Sequence, residues 1–327
     1  MICPKGENPC VIVMALGFRI DMKPHLGAFD LVERKDHMDL FGATALIAFA
    51  LHLAFNQVVI KVTSGGFGPI FQAGVRSLGA VIVLMIWMRL RGVSFKVPRT
   101  ALAGGIASGL FFTLEFMCLF TALDITTVSR ASVIFYSMPV WLSLIAHFFF
   151  PNERLTRLKL LGLILAMSGV AIALADRGDG AFSWKGDLMA LTSAFCWAGI
   201  ICCVRMTPLS QVPPAQQLMF QVMISAPILL LLAPFFGPML REVEVIHVAG
   251  LLFQIIAVAS LGFLVWFWLM SIYPASSVAS FSFLSPVFSV ILGWLLLSED
   301  VALSVWGALV LVASGIYLIN RKPRIPA

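Results

Sequence analysis

Two stretches of the chain, 145–147 residues apart, repeat one another. Residues 128–169 read VSRASVIFYSMPVWLSLIAHFFFPNERLTRLKLLGLILAMSG, and residues 275–315 read ASSVASFSFLSPVFSVILGWLLLSEDVALSVWGALVLVASG. Pro139 aligns with Pro286, Glu153 with Glu299, Gly162 with Gly307, and Ser168-Gly169 with Ser314-Gly315. The repeated unit is apolar nearly throughout, and so is the whole chain: 60% of residues are hydrophobic, 12% are charged, and the mean hydropathy is +0.99. A soluble domain carries about 25% charged residues. Too little polar surface exists here to cover a water-soluble body of 327 residues. An apolar chain duplicated over this length reads as an all-α integral membrane protein built from two related bundles.

A spanning helix needs about 20 mostly apolar residues. Ten such segments are expected, at roughly 40–62, 68–88, 101–122, 126–149, 157–175, 187–206, 214–236, 246–270, 274–297 and 303–320. With the N-terminus in the cytoplasm, sixteen Lys and Arg residues fall in cytoplasmic segments and three (Arg177, Lys185 and Arg241) in outer ones. That bias predicts an even number of spans with both termini inside. Ten spans in two halves gives five per half. Five is odd, so the second half must enter the membrane in the opposite sense, and the expected fold is two inverted five-helix repeats. The division is residues 1–37 as a cytoplasmic tail, 38–176 as the first repeat and 184–322 as the second. The tail reads as disordered, or as lying upstream of a later start at Met22 or Met38.

The net charge of +6 is then loop charge that sets orientation, and no basic run with interleaved aromatics argues for nucleic acid. None of the six cysteines forms a CxxC, and no His stands at ligand spacing from them, so neither metal nor cofactor is expected. A GxxxxGK[ST] phosphate loop is also missing, which excludes ATP-driven work by this chain alone.

Each half resembles an EamA domain of the drug/metabolite transporter superfamily. The first carries ALDITTVSRASVIFYSMPVW (122–141) followed by NERLT (152–156). The second carries GDLMALTSAFCWAGIICCVR (186–205), SIYPASSVASFSFLSPVF (271–288) and LLLSED (295–300). The resemblance covers about residues 40–320. It implies a ten-helix inner-membrane carrier of small metabolites, often an exporter of amino acids or related compounds. Arg130 departs from the pattern, standing where the second half has Ser277 and where the family usually has a small residue.

A charge inside a span costs about 2.5–3.5 kcal/mol on insertion scales, so each should face the bundle or a wet cavity. Glu115 near the middle of the third span reads as a proton-coupling or substrate-amine site, or as an acid locking that helix. Arg130 reads as a carboxylate clamp, as a partner for Glu115, or as a side chain reaching for the outer interface. With one residue of slip Arg76 aligns with Gln221, so both halves place a polar residue toward the centre, read as contacting substrate or as fixing the helix. His52, Asn56 and Gln57, at i, i+4 and i+5, form a polar stripe read as lining a pathway. Lys61 reads as reaching for the outer interface. Pro139 and Pro286 are expected mid-helix, as kinks or hinges. Glu153 and Glu299 read as structural, suited to the N-terminus of the helix that follows each.

The function expected is secondary transport of a small polar metabolite, an amino acid or organic anion, with export favoured. Alternatives are uptake of a larger aromatic metabolite or vitamin, and a non-transporting sensor on the same fold. The partners expected are a small-molecule substrate and the lipid bilayer, with a homodimer left open.

Overall fold

The computed structural model describes residues 39–149, 156–175, 183–273, 281 and 284–320. The N-terminal tail, Asn152, Glu153 and Ser277 lie outside the described residues. Among the described residues twelve α-helices follow one another: α1 (Leu40–Thr63), α2 (Pro69–Leu90), α3 (Leu102–Ile125), α4 (Val128–Phe135), α5 (Met138–Phe149), α6 (Arg157–Ala175), α7 (Trp184–Met206), α8 (Pro214–Leu232), α9 (Val245–Phe253), α10 (Phe263–Ile272), α11 (Leu284–Leu297) and α12 (Leu303–Asn320). Eight helical stretches among the described residues are long and apolar enough to cross a membrane, while α11 and α12 are apolar but shorter. In a bilayer only a helix satisfies every backbone N–H and C=O within its own segment.

Local chemistry sets the ends. Asp39 caps α1 by accepting the Gly42 N–H at 2.8 Å, Thr127 caps α4 through the Arg130 N–H, and Ser183 caps α7 through the Gly186 N–H. Pro69 and Pro214 open α2 and α8 at the first helical position, where a missing N–H loses nothing. The fourth expected span is broken: α4 stops at Phe135, and Tyr136 and Ser137 turn before α5 begins. Pro139 accounts for the break, since its ring conflicts with the carbonyl four residues earlier. Pro286 is the third described residue of α11, and the residues at 282–283 lie outside the described ones. The eighth expected span is also irregular: between α9 and α10, residues Gln254–Gly262 form wide π-helical turns that nothing in the sequence marks.

The central position belongs to α3 and the α4–α5 span, each 61% buried over its apolar window, against 33% for α6. Large apolar side chains such as Phe41, Leu51, Ile86, Leu161 and Leu231 are exposed, as a lipid-facing surface requires. Because lipid is as apolar as leucine, packing between spans relies on close approach at small residues. Those approaches come in reciprocal pairs. Gly79 packs against Ile255 and Gly109 against Ile224; Gly104 packs against Thr207 and Gly250 against Thr63; Gly162 packs against Gly315 and Gly169 against Ala308. In the first two pairs the second contact is the first with its two partners exchanged between the halves, and the third pair follows the same rule with one residue of slip, Ala308 standing next to Gly307. At the last pair the backbones of α6 and α12 touch: a Cβ built on Gly315 would lie 2.5 Å from the Gly162 carbonyl oxygen, and one on Gly169 would lie 2.7 Å from that of Ala308.

Candidate functional site

A cavity of about 210 Å³ lies between the halves. From α1 it takes Leu46, Phe49, Ala50, Leu53, Asn56 and Gln57, the face repeating every three or four residues. From α2 comes Arg76, from α3 Glu115 with Phe112, Phe116 and Leu119, and from α8 Gln221. The α4–α5 break delivers Phe135, Tyr136, Met138 and Pro139, while α7 supplies Trp197, Ile200, Ile201 and Val204. The π-helical turns and α10 place Val258, Gly262, Phe263 and Trp266, and Phe281 with Ser285 completes the wall. Most of the lining is aromatic or aliphatic, with the polar groups gathered among Asn56, Gln57, Arg76, Glu115 and Gln221.

Those five polar residues were all marked by their position inside apolar spans, and the fold brings them together. Arg76 and Glu115 are 4% and 3% exposed. The Arg76 guanidinium lies 4.3 Å from the Phe116 ring centroid and 5.7 Å from that of Phe120. Its Nε has no hydrogen-bond partner, and neither has Asn56 Oδ1 or Gln57 Oε1. Gln221 Nε2 donates to Ser108 Oγ at 3.1 Å. The Tyr136 hydroxyl lies beside Gln57, Ser285 and Ser289. Tyr136, Ser285 and the phenylalanines of the wall escaped the sequence reading, because a phenylalanine or serine in an apolar run looks the same whether it meets lipid, protein or a cavity.

Arg130 is not in the cavity and does not pair with Glu115. Its Nε and Nη2 donate to Oδ1 and Oδ2 of Asp187 at 2.7 Å each, with both side chains buried. Asp187, in the first turn of α7, claims the fork that was expected to hold a substrate carboxylate. His52 is displaced too: its Nε2 lies 3.2 Å from the Ala257 carbonyl oxygen, and its ring packs near Phe253. At 100° per residue, His52 is turned about 100° from Leu53, near the centre of the cavity face. The expected stripe therefore splits, with Asn56 and Gln57 lining the cavity and His52 fixing α1 to the π-helical turns.

One end of the bundle, where α1 and α3 finish and α4 and α7 begin, is tied shut by polar contacts. Arg130 and Asp187 join α4 to α7. Lys61 Nζ donates to the carbonyls of Asp124 (3.0 Å) and Thr126 (2.9 Å), so it caps the C-terminus of α3 rather than reaching outward. Arg241 donates twice to Asp124 and once to the Ser64 carbonyl, and the Asp124 carboxylate holds its guanidinium above the ordinary range. Glu299 accepts the N–H groups of Val128 and Ser129 and the Ser129 hydroxyl. It does cap a helix N-terminus, but that of α4 in the other half rather than that of α12. Pro286 is buried and outside the lining, while Pro139 borders the cavity. Among the described residues no group of three His, Cys, Asp or Glu is placed to hold a metal.

The model of the EamA-like transporter family matches residues 40–175 and again residues 184–321. The chain belongs to this family, within the drug/metabolite transporter superfamily. Among its relatives is the uncharacterized transporter YvbV of Bacillus subtilis, 29% identical over 286 residues, which are 85% of this chain and 92% of that protein. A probable amino-acid metabolite efflux pump of Salmonella typhimurium is 28% identical, over 80% of this chain and 89% of its own. The uncharacterized inner membrane transporter YedA of Escherichia coli is 26% identical, over 88% and 94%. A crystal structure with 21% identity superposes with a TM-score of 0.61, covering 84% of this chain and 96% of its own, which extends the likeness to the fold. The EamA-like chain is thus a multi-pass membrane transporter and not an enzyme.

Proposed function

We propose that this EamA-like protein is a secondary transporter that moves a small polar metabolite, an amino acid or organic anion, out across the inner membrane by alternating access. Ten spans form two inverted five-helix repeats, with both termini in the cytoplasm. The reciprocal glycine contacts support the inversion, since exchanging partners between halves is what a two-fold relation requires, and five spans per half set that axis in the membrane plane.

The observation that carries the reading is the cavity between the repeats, with its polar groups buried among aromatics and one end of the bundle tied shut beside it. On the positive-inside reading that closed end is the outer one. Sites for drug-sized ligands run to about 300–1,000 Å³, so about 210 Å³ favours a small solute over a large aromatic vitamin. The names of the Salmonella relative and its kin support efflux.

The test is thermal stabilisation of the detergent-purified protein by a panel of amino acids, organic anions and vitamins, followed by flux of each hit in proteoliposomes. Ligand at 100 times its Kd adds about 2.7 kcal/mol to the folded state. Saturable flux of a small polar hit supports the proposal, and absence of flux for every member of the panel rejects it.

A further inference from the structure

The cavity wall has uneven hydrogen-bonding needs. Nε of Arg76 is a buried donor without an acceptor. The guanidinium carbon lies over the Phe116 ring, which attracts the charge without satisfying its N–H groups. The two other arginines of the bundle described above contrast with it, since Arg130 holds Asp187 and Arg241 holds Asp124, each through both carboxylate oxygens. Gln221, the counterpart of Arg76 in the second half, spends its amide on Ser108. The unmet cationic donor therefore stands on one side of the cavity only. The same wall offers acceptors in Asn56 Oδ1, Gln57 Oε1 and the Glu115 carboxylate, and the first two have no donor. Polar groups buried in this way are costly until something satisfies them.

We infer that Arg76 is the specificity-determining residue of this transporter, selecting solutes by their carboxylate, while Glu115, Asn56 and Gln57 take the N–H donors of the same molecule. The inference rests on the transporter reading above and narrows it from two substrate classes to one, a dipolar amino-acid-like solute. Charge balance makes the choice. Arg76 and Glu115 line the same cavity, and with both side chains ionised their charges cancel. A zwitterion adds no net charge to this buried site, whereas a plain amine or a plain acid leaves one charge uncompensated. The apolar portion of the solute then lies against the aromatic wall.

Two probe series test this on the full-length protein: phenylalanine, phenethylamine and 3-phenylpropionate, and leucine, isoamylamine and 4-methylpentanoate. Binding is read by thermal stabilisation and competition. In at least one series the zwitterion should bind about 10- to 100-fold more tightly than the amine, the worth of a charged hydrogen-bonding group. Arg76→Gln, which copies Gln221, should bring amine and zwitterion within about threefold of each other, and Arg76→Lys should keep part of the preference. Should Arg76→Gln fail to fold, the wild-type series still decides. The inference is overturned if the wild-type protein prefers the amine or the acid, if no probe binds, or if Arg76→Gln keeps full discrimination. Saturable flux only of solutes lacking a carboxylate would sink this inference and leave the transporter standing. No flux of any solute would remove the transporter reading itself.

Discussion

Replacing Asp187 with alanine should cost the folded protein about 3–5 kcal/mol. The geometry gives the magnitude. Two charge-assisted bonds of 2.7 Å join Asp187 to Nε and Nη2 of Arg130, each of the kind worth about 1.5–3 kcal/mol. The side chains are 6% and 5% exposed, so water cannot stand in for the missing carboxylate. Arg130→Ala leaves the complementary buried carboxylate and should cost about as much. Arg130→Met combined with Asp187→Leu removes both charges and should lose less than either single change, because a well-packed apolar pair replaces a buried ion pair at little cost. Equilibrium unfolding in mixed detergent micelles, arranged as a double-mutant cycle, measures the coupling. A coupling below about 0.5 kcal/mol would refute the reasoning, and an Arg130→Ala protein of wild-type stability that no longer binds substrate would restore Arg130 as a clamp.

Two further outcomes follow from the packing. Glu299→Ala removes the acceptor for the first amides of α4 and should cost about 1–2 kcal/mol, with faster hydrogen exchange at Val128 and Ser129; unchanged exchange there would contradict the capping role. Gly315→Ala drives a Cβ to 2.5 Å from the Gly162 carbonyl and should cost about 1–3 kcal/mol, seen as a lower melting temperature and poorer monodispersity, whereas Gly307→Ala meets nothing within 4 Å and should be silent in both assays.

The apolar runs were legible because the bilayer enforces them, and Arg76, Glu115, Asn56, Gln57 and Gln221 were legible because a polar side chain within such a run must turn inward. Partners were not. Arg130 and Asp187 are 57 residues apart and in different halves, and no local pattern says which acid meets which base. His52 failed for a geometric reason: i and i+5 differ by about 140° around a helix, too wide for one face. Lys61 failed because a carbonyl terminus within reach competes with the interface for its ammonium. The wide turns of Gln254–Gly262 contain no proline to announce them, although they deliver Val258 and Gly262 to the cavity.

The crossing of α6 and α12 constrains how such a molecule can move. Where large side chains meet, two helices can slide by exchanging rotamers. Where backbone meets backbone, as at Gly162 and Gly315, there are no rotamers to exchange, and any displacement opens a void or a collision. These two helices close their respective halves of the sequence, so each half is anchored at its final span to a shared spine. On the ten-span, alternating-access reading proposed above, opening the opposite side is then a motion of the other eight spans about that spine, with the fault line running through the side-chain seams around the cavity.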